Sequence, residues 1–268
     1  MNPVVSIIIV NYSTPELVYD CLASITKHLS LSHETIIVDN GAKIPLNPAK
    51  LQIGPQLQYI SVNENKGFGG GNNIGVAKAQ GQIVWLLNSD TLLPDNSIEQ
   101  AIAFMQTHPE VGALTPLLFN DIEQKILQAD FYAHFQTLAT LIRRKARANL
   151  IPNQEWQPVD MVVAASILIP WSLYNQIGGF DETFFMYMED DDICYRIHQA
   201  GKLVGIYSKA RIVHLQGRSI THTRERKDMY YRSQTLFWQK HYGMLPAALM
   251  QASRMVYLGI QRTFQLGK

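Results

Sequence analysis

Three apolar runs, each stopping on a short polar cluster, constrain this chain more than any other feature. Val4 to Val10 (VVSIIIV) runs into Asn11, Glu34 to Val38 (ETIIV) into Asp39-Asn40-Gly41, and Ile83 to Leu87 (IVWLL) into Asn88-Ser89-Asp90. Continuous β-branched runs of this length suit strands buried on both faces. A further short strand, Gln58 to Val62, leads into Asn63 to Asn73 (NENKGFGGGNN). Helices are expected between them. One starts at Pro15 behind a Ser13 or Thr14 cap and runs to Lys27 or His28, with Leu17, Cys21, Leu22 and Ile25 facing inward. Another passes through Ile74, Val76 and Ala77 to Ala79 after a glycine loop. The alternation predicts an α/β domain with a largely parallel sheet. Ligands of open α/β sheets collect at the carboxyl ends of the strands, so Asn11, Asp39 and Asn88-Ser89-Asp90 should share one edge.

The chain has 268 residues, of which 47% are hydrophobic and 17% charged, which excludes a disordered or fibrous protein. With 23 basic and 22 acidic residues the net charge is +1, so no global field draws it to polyanions and no nucleic-acid partner is expected. Cys21 and Cys194 make no disulfide framework and suit a reducing compartment, so a cytoplasmic location is expected. The opening residues carry no signal-peptide pattern, and Met161 to Trp171 is too short to span a bilayer.

In the second half, Val111 to Leu114, Val159 to Ile169 and Leu203 to Tyr207 read as strands. Gly178 to Glu182 reads as a turn, Glu189 to Ala200 as a helix stopped by Gly201, and Thr221 to Tyr242 as a long polar helix. The stretch from Asp121 to Pro158 carries no recognisable motif but holds a basic cluster, Arg143-Arg144-Lys145-Ala146-Arg147.

Each candidate site residue has a structural alternative. Asp39 can accept a ring N–H of a nucleobase, or close an Asx-turn with Asn40-Gly41. Asp90 can bind a hard divalent cation, or cap a helix before Pro94. Gly67 to Gly71 fits neither the dinucleotide fingerprint nor the P-loop, yet demands a tight turn or a close approach. Glu189-Asp190-Asp191-Asp192 suits the positive end of a helix, with Asp192 able to pair with Arg196. The bulky run Phe184 to Met188 before it would desolvate one of these carboxylates and raise its basicity. His214 is a packed residue unless Asp90 lies beside it; together they could hold Mg²⁺ or Mn²⁺.

The segments VSIIIVNYS, IIVDNG, NENKGFGGGNNIG, VWLLNSD, GGFDETFFMYMEDDDICYRIHQAG and ARIVHLQGRS, in this order, resemble the family 2 inverting glycosyltransferases of the GT-A fold, in particular their bacterial rhamnosyltransferase-like branch. The resemblance covers roughly Val4 to Tyr242. It implies a Rossmann-like nucleotide-binding half (1–115) fused to an acceptor-binding half (116–243) around one mixed, mostly parallel sheet, followed by an amphipathic tail (244–268). It implies that Asn11 lines the nucleotide pocket, that Asp39 holds the base, and that Asn65, Gly67, Gly69, Asn72 and Asn73 wall the sugar-nucleotide cleft with Asn88 and Ser89. Asp90 matches the last acid of the family's Asp-x-Asp metal motif, whose first acid is here Asn88, and His214 matches the residue completing the metal site. Asp190 matches the catalytic base and Glu189 a partner that orients the acceptor. Arg232 is expected to contact the donor.

The implied reaction moves a sugar from a dTDP- or UDP-sugar, with dTDP-L-rhamnose as first choice, to a saccharide or lipid-linked saccharide in cell-surface polysaccharide synthesis. The alternative is a catalytically silent sugar-nucleotide-binding protein of the same fold. Met244 to Gln261 is apolar but interrupted by Arg254. It suits either an interfacial helix at the inner face of the membrane, or a helix docked on the domain or forming a dimer contact.

Overall fold

The computed structural model describes residues 3–51, 53–128, 131–132, 149–215 and 223–266. The first half carries β1 (Val5–Asn11), α1 (Pro15–His28), β2 (His33–Asn40), β3 (Leu57–Val62), α2 (Gly67–Val76), β4 (Ile83–Asn88), β5 (Thr91–Leu92), α3 (Ile98–Thr107) and β6 (Val111–Phe119). The second half carries β7 (Leu127–Gln128), β8 (Phe131–Tyr132), β9 (Trp156–Val159), β10 (Met161–Val162), β11 (Ser166–Pro170), α4 (Trp171–Gln176), α5 (Glu189–Gln199), β12 (Leu203–His214), α6 (Thr223–Tyr242) and α7 (Met244–Leu266).

One ten-stranded sheet runs β3-β2-β1-β4-β11-β6-β12-β5, with β7 added on β6 and β9 on β12. Its longest ladders, β1 on β2, β2 on β3, β1 on β4 and β6 on β12, are parallel. Register aligns the strand ends: Asn11 pairs with Asp39 across β1 and β2, and Val10 with Asn88 across β1 and β4. The three polar clusters therefore share one edge, as expected. The chain is an α/β protein built on one mixed, mostly parallel sheet, with a core on each face. Ile7, Ile9 and Trp85 pack toward α1 and α3, and Ile8, Ile36 and Leu86 toward α2, α4 and α5.

Four local expectations are corrected. The glycine segment is not a loop before a helix: α2 begins at Gly67 itself. Glycine is needed there because α2 lies directly on the sheet, where a Cβ on Gly71 would stand 2.7 Å from Val10 Cγ1. Gly67 itself has φ +76°. The apolar run from Val159 to Ile169 is not one strand. It breaks at Val163-Ala164-Ala165, which turn to line a cavity. The strand after Leu203 does not stop at Tyr207 but continues through an irregularity to His214. On α1 the buried stripe is Val18, Cys21 and Ile25, with Leu22 partly buried and Leu17 off the stripe.

A third cluster joins Phe184 and Met188, ahead of α5, to Phe237 and Trp238 of α6 and Ala247 and Met250 of α7. The C-terminal helix is thus docked on the domain through one face, while Leu245, Leu249 and Val256 are exposed. Among the described residues no helix is long and apolar enough to cross a membrane. The basic cluster at Arg143 to Arg147 lies outside the described residues.

Candidate functional site

β12 brings the most distant pair of candidates together. It runs antiparallel to β5 with His214 opposite Thr91, and the Leu215 N–H donates to the Asp90 carbonyl at 2.9 Å. The imidazole Nε2 of His214 consequently stands 3.3 Å from Asp90 Oδ1, both side chains being buried. On the other side of the ring, Nδ1 lies 3.0 Å from Gln128 Oε1. An amide oxygen only accepts, so Nδ1 presents its N–H to Gln128; Nε2 then offers its lone pair in the neutral ring, or donates to Asp90 in the imidazolium. The Asn88 amide, 3.5 Å from Nε2, is compatible with the neutral ring. In the neutral ring two acceptor atoms face each other, a pair that a cation placed between them would satisfy. Cis ligands of one divalent cation, each about 2.1 Å from it, would stand about 3 Å apart. The residues therefore fit a cation, with Gln128 as the outer partner that fixes the ring. Asp90 is not a helix cap, because α3 starts only at Ile98 and Asp95 serves the preceding turn.

Beside this pair opens a cleft of about 420 Å³, lined by Tyr12, Thr14, Asn40, Asn65, Gly67, Asn88, Ser89, Asp90, Phe185 and Glu225, among others. Asn40 shapes its wall. Its Nδ2 donates to Asn65 Oδ1 (3.1 Å) and to the Gly67 carbonyl (2.9 Å), and its Oδ1 accepts from Lys66 N–H. A second chamber of about 370 Å³ is lined by Val163, Ala164, Ala165, Tyr187, Glu189, Asp190, Asp191 and Tyr230. Phe68, Asn88 and Met186 line both, so the two spaces adjoin.

The acids of α5 divide by environment. Two consecutive left-handed residues, Tyr187 (φ 68°) and Met188 (φ 66°), turn the chain into the helix. Backbone conformations of this kind are costly in non-glycine residues and cluster at functional sites. Asp190 is partly exposed in the chamber, and its Oδ1 accepts from Asp191 N–H at 3.0 Å. Glu189 is buried, and burial followed by the neighbouring Asp190 charge pushes its carboxyl well above the ordinary glutamate range. Asp192 is fully buried and turns away from the chamber. Its carboxylate meets Arg196 Nε at 2.8 Å, Lys240 Nζ at 2.7 Å and His241 Nε2 at 2.7 Å. Burial alone would raise its pKa, but His241, Arg196 and Lys240 together hold it below the usual range. The expected Asp192–Arg196 pair is present.

Several other expected residues are placed around rather than in the cleft. Asp39 is buried; its Oδ1 accepts from Asn11 Nδ2 (2.8 Å), and its Oδ2 from Leu46 N–H (3.0 Å) and Tyr59 O–H (2.9 Å). Asn11 Oδ1 in turn accepts the N–H of Thr14 at the start of α1. Gly69 packs against Phe180, and Asn72 Nδ2 bonds the Phe68 carbonyl. Asn73 reaches the other way and pins the 178–182 turn. Its Oδ1 accepts from Tyr174 O–H and Phe180 N–H, and its Nδ2 donates to Phe180 O and Glu182 Oε1. Arg232 lies outside the cleft, in a groove between α6 and α7 with Tyr231, Gln251 and Arg254. Gln128 and Asn40 were not singled out from sequence: Gln128 lies in the motif-free stretch, and Asn40 read as half of a turn.

Comparison with known proteins gives the family. The family model "Glycosyl transferase family 2" matches residues 6–154, and "Glycosyl transferase family group 2" matches 83–264. An N-acetylglucosaminyl-diphospho-decaprenol L-rhamnosyltransferase of Mycobacterium tuberculosis is 26% identical, covering 82% of this chain and 78% of its own. Rhamnosyltransferase WbbL of Escherichia coli K12 is 29% identical over 54% of this chain and 59% of its own. Among solved structures, GalNAc-T7 with UDP, GalNAc and Mn²⁺ superposes with a TM-score of 0.72 at 15% identity, over 90% of this chain and 50% of that one. S. aureus TarS 1–349 with UDP gives a TM-score of 0.57 at 19% identity, over 88% of this chain and 64% of that one. The present chain thus spans half to under two thirds of those solved chains. From the extent of the family match, the chain belongs to glycosyl transferase family 2, among relatives of the rhamnosyltransferase-like branch.

Proposed function

We propose that this protein is an inverting glycosyltransferase that moves a sugar from a nucleoside diphosphate to a saccharide hydroxyl. The observation that carries the reading is the shared wall of Phe68, Asn88 and Met186, which sets the chamber of Asp190 against the cleft of Asp90 and His214. The donor occupies the larger cleft, with its diphosphate toward Asp90. Asp90 and His214 would hold a divalent cation, Mg²⁺ or Mn²⁺, which supplies Lewis-acid neutralisation of the charge on the departing diphosphate. The acceptor enters the smaller chamber, where Asp190 removes the hydroxyl proton as that oxygen bonds to the anomeric carbon. The bond from that carbon to the diphosphate oxygen breaks in the same displacement, so the configuration inverts. Asp39 holds the shape of the nucleotide end through Asn11, Leu46 and Tyr59.

The names of the rhamnosyltransferase relatives support rhamnose as the transferred sugar and a lipid-linked saccharide as acceptor, with dTDP-L-rhamnose the first choice of donor from the resemblance. Leu245, Leu249 and Val256, on one exposed face of α7, support a peripheral contact with the membrane that carries such an acceptor. The direct test incubates the protein and Mn²⁺ with dTDP-L-rhamnose or UDP-sugars and an N-acetylglucosaminyl-diphospho-lipid analogue. Acceptor-dependent release of the nucleoside diphosphate is expected. Donor binding without release, across the donor panel, would favour the silent binding protein.

A further inference from the structure

Glu189 and Asp192 lie on the same first turn of α5, and both are buried, yet their surroundings are opposite. Asp192 is met by Arg196, Lys240 and His241. Glu189 is 7% exposed, and its Oε2 has no hydrogen-bond partner among the described residues. The charged and titratable groups around it are of little help to an anion. Asp190 and Asp191 follow it on α5, Tyr187 precedes it, and Tyr230 of α6 lines the same chamber. The Arg226 guanidinium of α6 acts on Tyr187. The facing walls are Phe68 of α2, Asn88 of β4 and the apolar residues Met161, Val163, Ala164 and Ala165. The helix N-terminus and the Glu189 N–H favour a carboxylate, but among the described residues they act alone against burial and two adjacent acids.

We propose that Glu189 enters the transfer reaction as a neutral carboxylic acid, whose O–H donates to an oxygen of the acceptor sugar and leaves Asp190 as the working base beside it. The inference rests on the transferase reading above. It goes beyond the notion of a general orienting partner by assigning the proton and the direction of the hydrogen bond. A neutral carboxyl can donate where a carboxylate only accepts. Adjacent acids whose environments push their proton affinities apart divide into a proton holder and a proton acceptor. The proton count closes: the acceptor hydroxyl loses its proton to Asp190, and Glu189 keeps its own throughout. A neutral Glu189 also adds no second negative charge beside Asp190 in the acceptor chamber.

The first test needs no turnover. Infrared spectra of the wild-type protein labelled with ¹³C-carboxyl glutamate, at neutral pH, should show a protonated carboxyl band that shifts with the label. The band should vanish in Glu189→Gln and persist in Asp190→Asn. Absence of any label-sensitive protonated band in folded wild-type protein overturns the proposal, whatever the activity. The second test is kinetic. Glu189→Gln should lose at least about tenfold less in kcat than Asp190→Asn, whose loss is expected at about 10²–10⁴. Glu189→Gln should also lose the alkaline limb that ionisation of Glu189 gives the wild-type pH profile. A Glu189→Gln loss equal to that of Asp190→Asn means that the glutamate works as an anion and overturns the assignment. Failure of the wild-type protein to transfer any sugar would instead count against the transferase reading, and the infrared result would stand apart from it.

Discussion

His241 Nε2 lies 2.7 Å from Asp192 Oδ1, and this contact, with Lys240 on the same oxygen, ties α6 to the helix whose first turn carries Glu189 and Asp190. Lys240 extends the tie to Asp181 at 2.6 Å, just after the glycine turn that Asn73 holds. Asp181 is accordingly held at a pKa of about 2, with burial opposed by Lys240 and Thr183. The acceptor chamber is therefore braced from behind by charge, although its own walls are largely apolar.

Breaking that brace should cost stability in a pH-dependent way. Removing one partner of a buried ion pair typically costs about 3–5 kcal/mol. Asp192→Asn is expected at the lower end, because Lys240 is partly exposed and can rehydrate. The folded-state pKa of Asp192 lies below the ordinary 3.8. Its contribution is therefore present above the unfolded value and is lost as pH falls through the folded one. Urea unfolding at pH 7 should separate wild type from Asp192→Asn, and the gap should close in strong acid. A gap independent of pH would mean that packing, not charge, sets the cost.

Gln128 makes its contribution through His214. Loss of an outer-shell partner of a metal-bound histidine usually weakens metal affinity about 10–100-fold. Calorimetry of UDP or dTDP binding with Mn²⁺ should show Gln128→Ala weakened by roughly tenfold at that lower bound. Chelation should weaken the wild type further and leave Asp90→Asn unmoved. If neither Gln128→Ala nor chelation changes affinity, Asp90 and His214 hold no cation in the donor complex.

Asp190→Asn should retain nucleotide-sugar binding while transfer falls by about 10²–10⁴. Isothermal titration with donor, followed by product assay with acceptor, separates the two. Transfer at the wild-type rate would place the base elsewhere.

Asn73 gives a contrasting outcome. Its four side-chain hydrogen bonds all go to the 178–182 turn or to Tyr174. Asn73→Ala strands a buried tyrosine hydroxyl and should cost about 1–3 kcal/mol in thermal or denaturant unfolding. Nucleotide affinity, measured on the folded fraction, should hardly change. A selective loss of donor binding at full stability would show that Asn73 faces the donor after all.

The exposed face of α7 should decide membrane attachment. Flotation with anionic liposomes is expected for wild type and reduced in Leu245→Asp/Leu249→Asp. Equal flotation of both would remove α7 from the contact.

Local order was legible in the sequence wherever an apolar run ended on a polar residue. Chain stiffness and alternation place β1, β2 and β4, and parallel pairing then puts Asn11, Asp39 and Asn88 on one edge. The acids of α5 were legible as a helix start for the same local reason. What the sequence could not supply was direction and company. Asp90 and His214 meet only because β12 runs past β6 to pair with β5, a contact across more than a hundred residues. The glycines of α2 read as a loop because local propensity is against a helix there. The helix forms because tertiary packing on Val10 and Ile8 rewards the absent side chains. Likewise four neighbouring acids look alike as letters. Only the packed structure gives Asp192 three nitrogen partners, leaves Asp190 at the chamber and buries Glu189 with an oxygen unpaired among the described residues, because the charge of a carboxyl is set by what surrounds it.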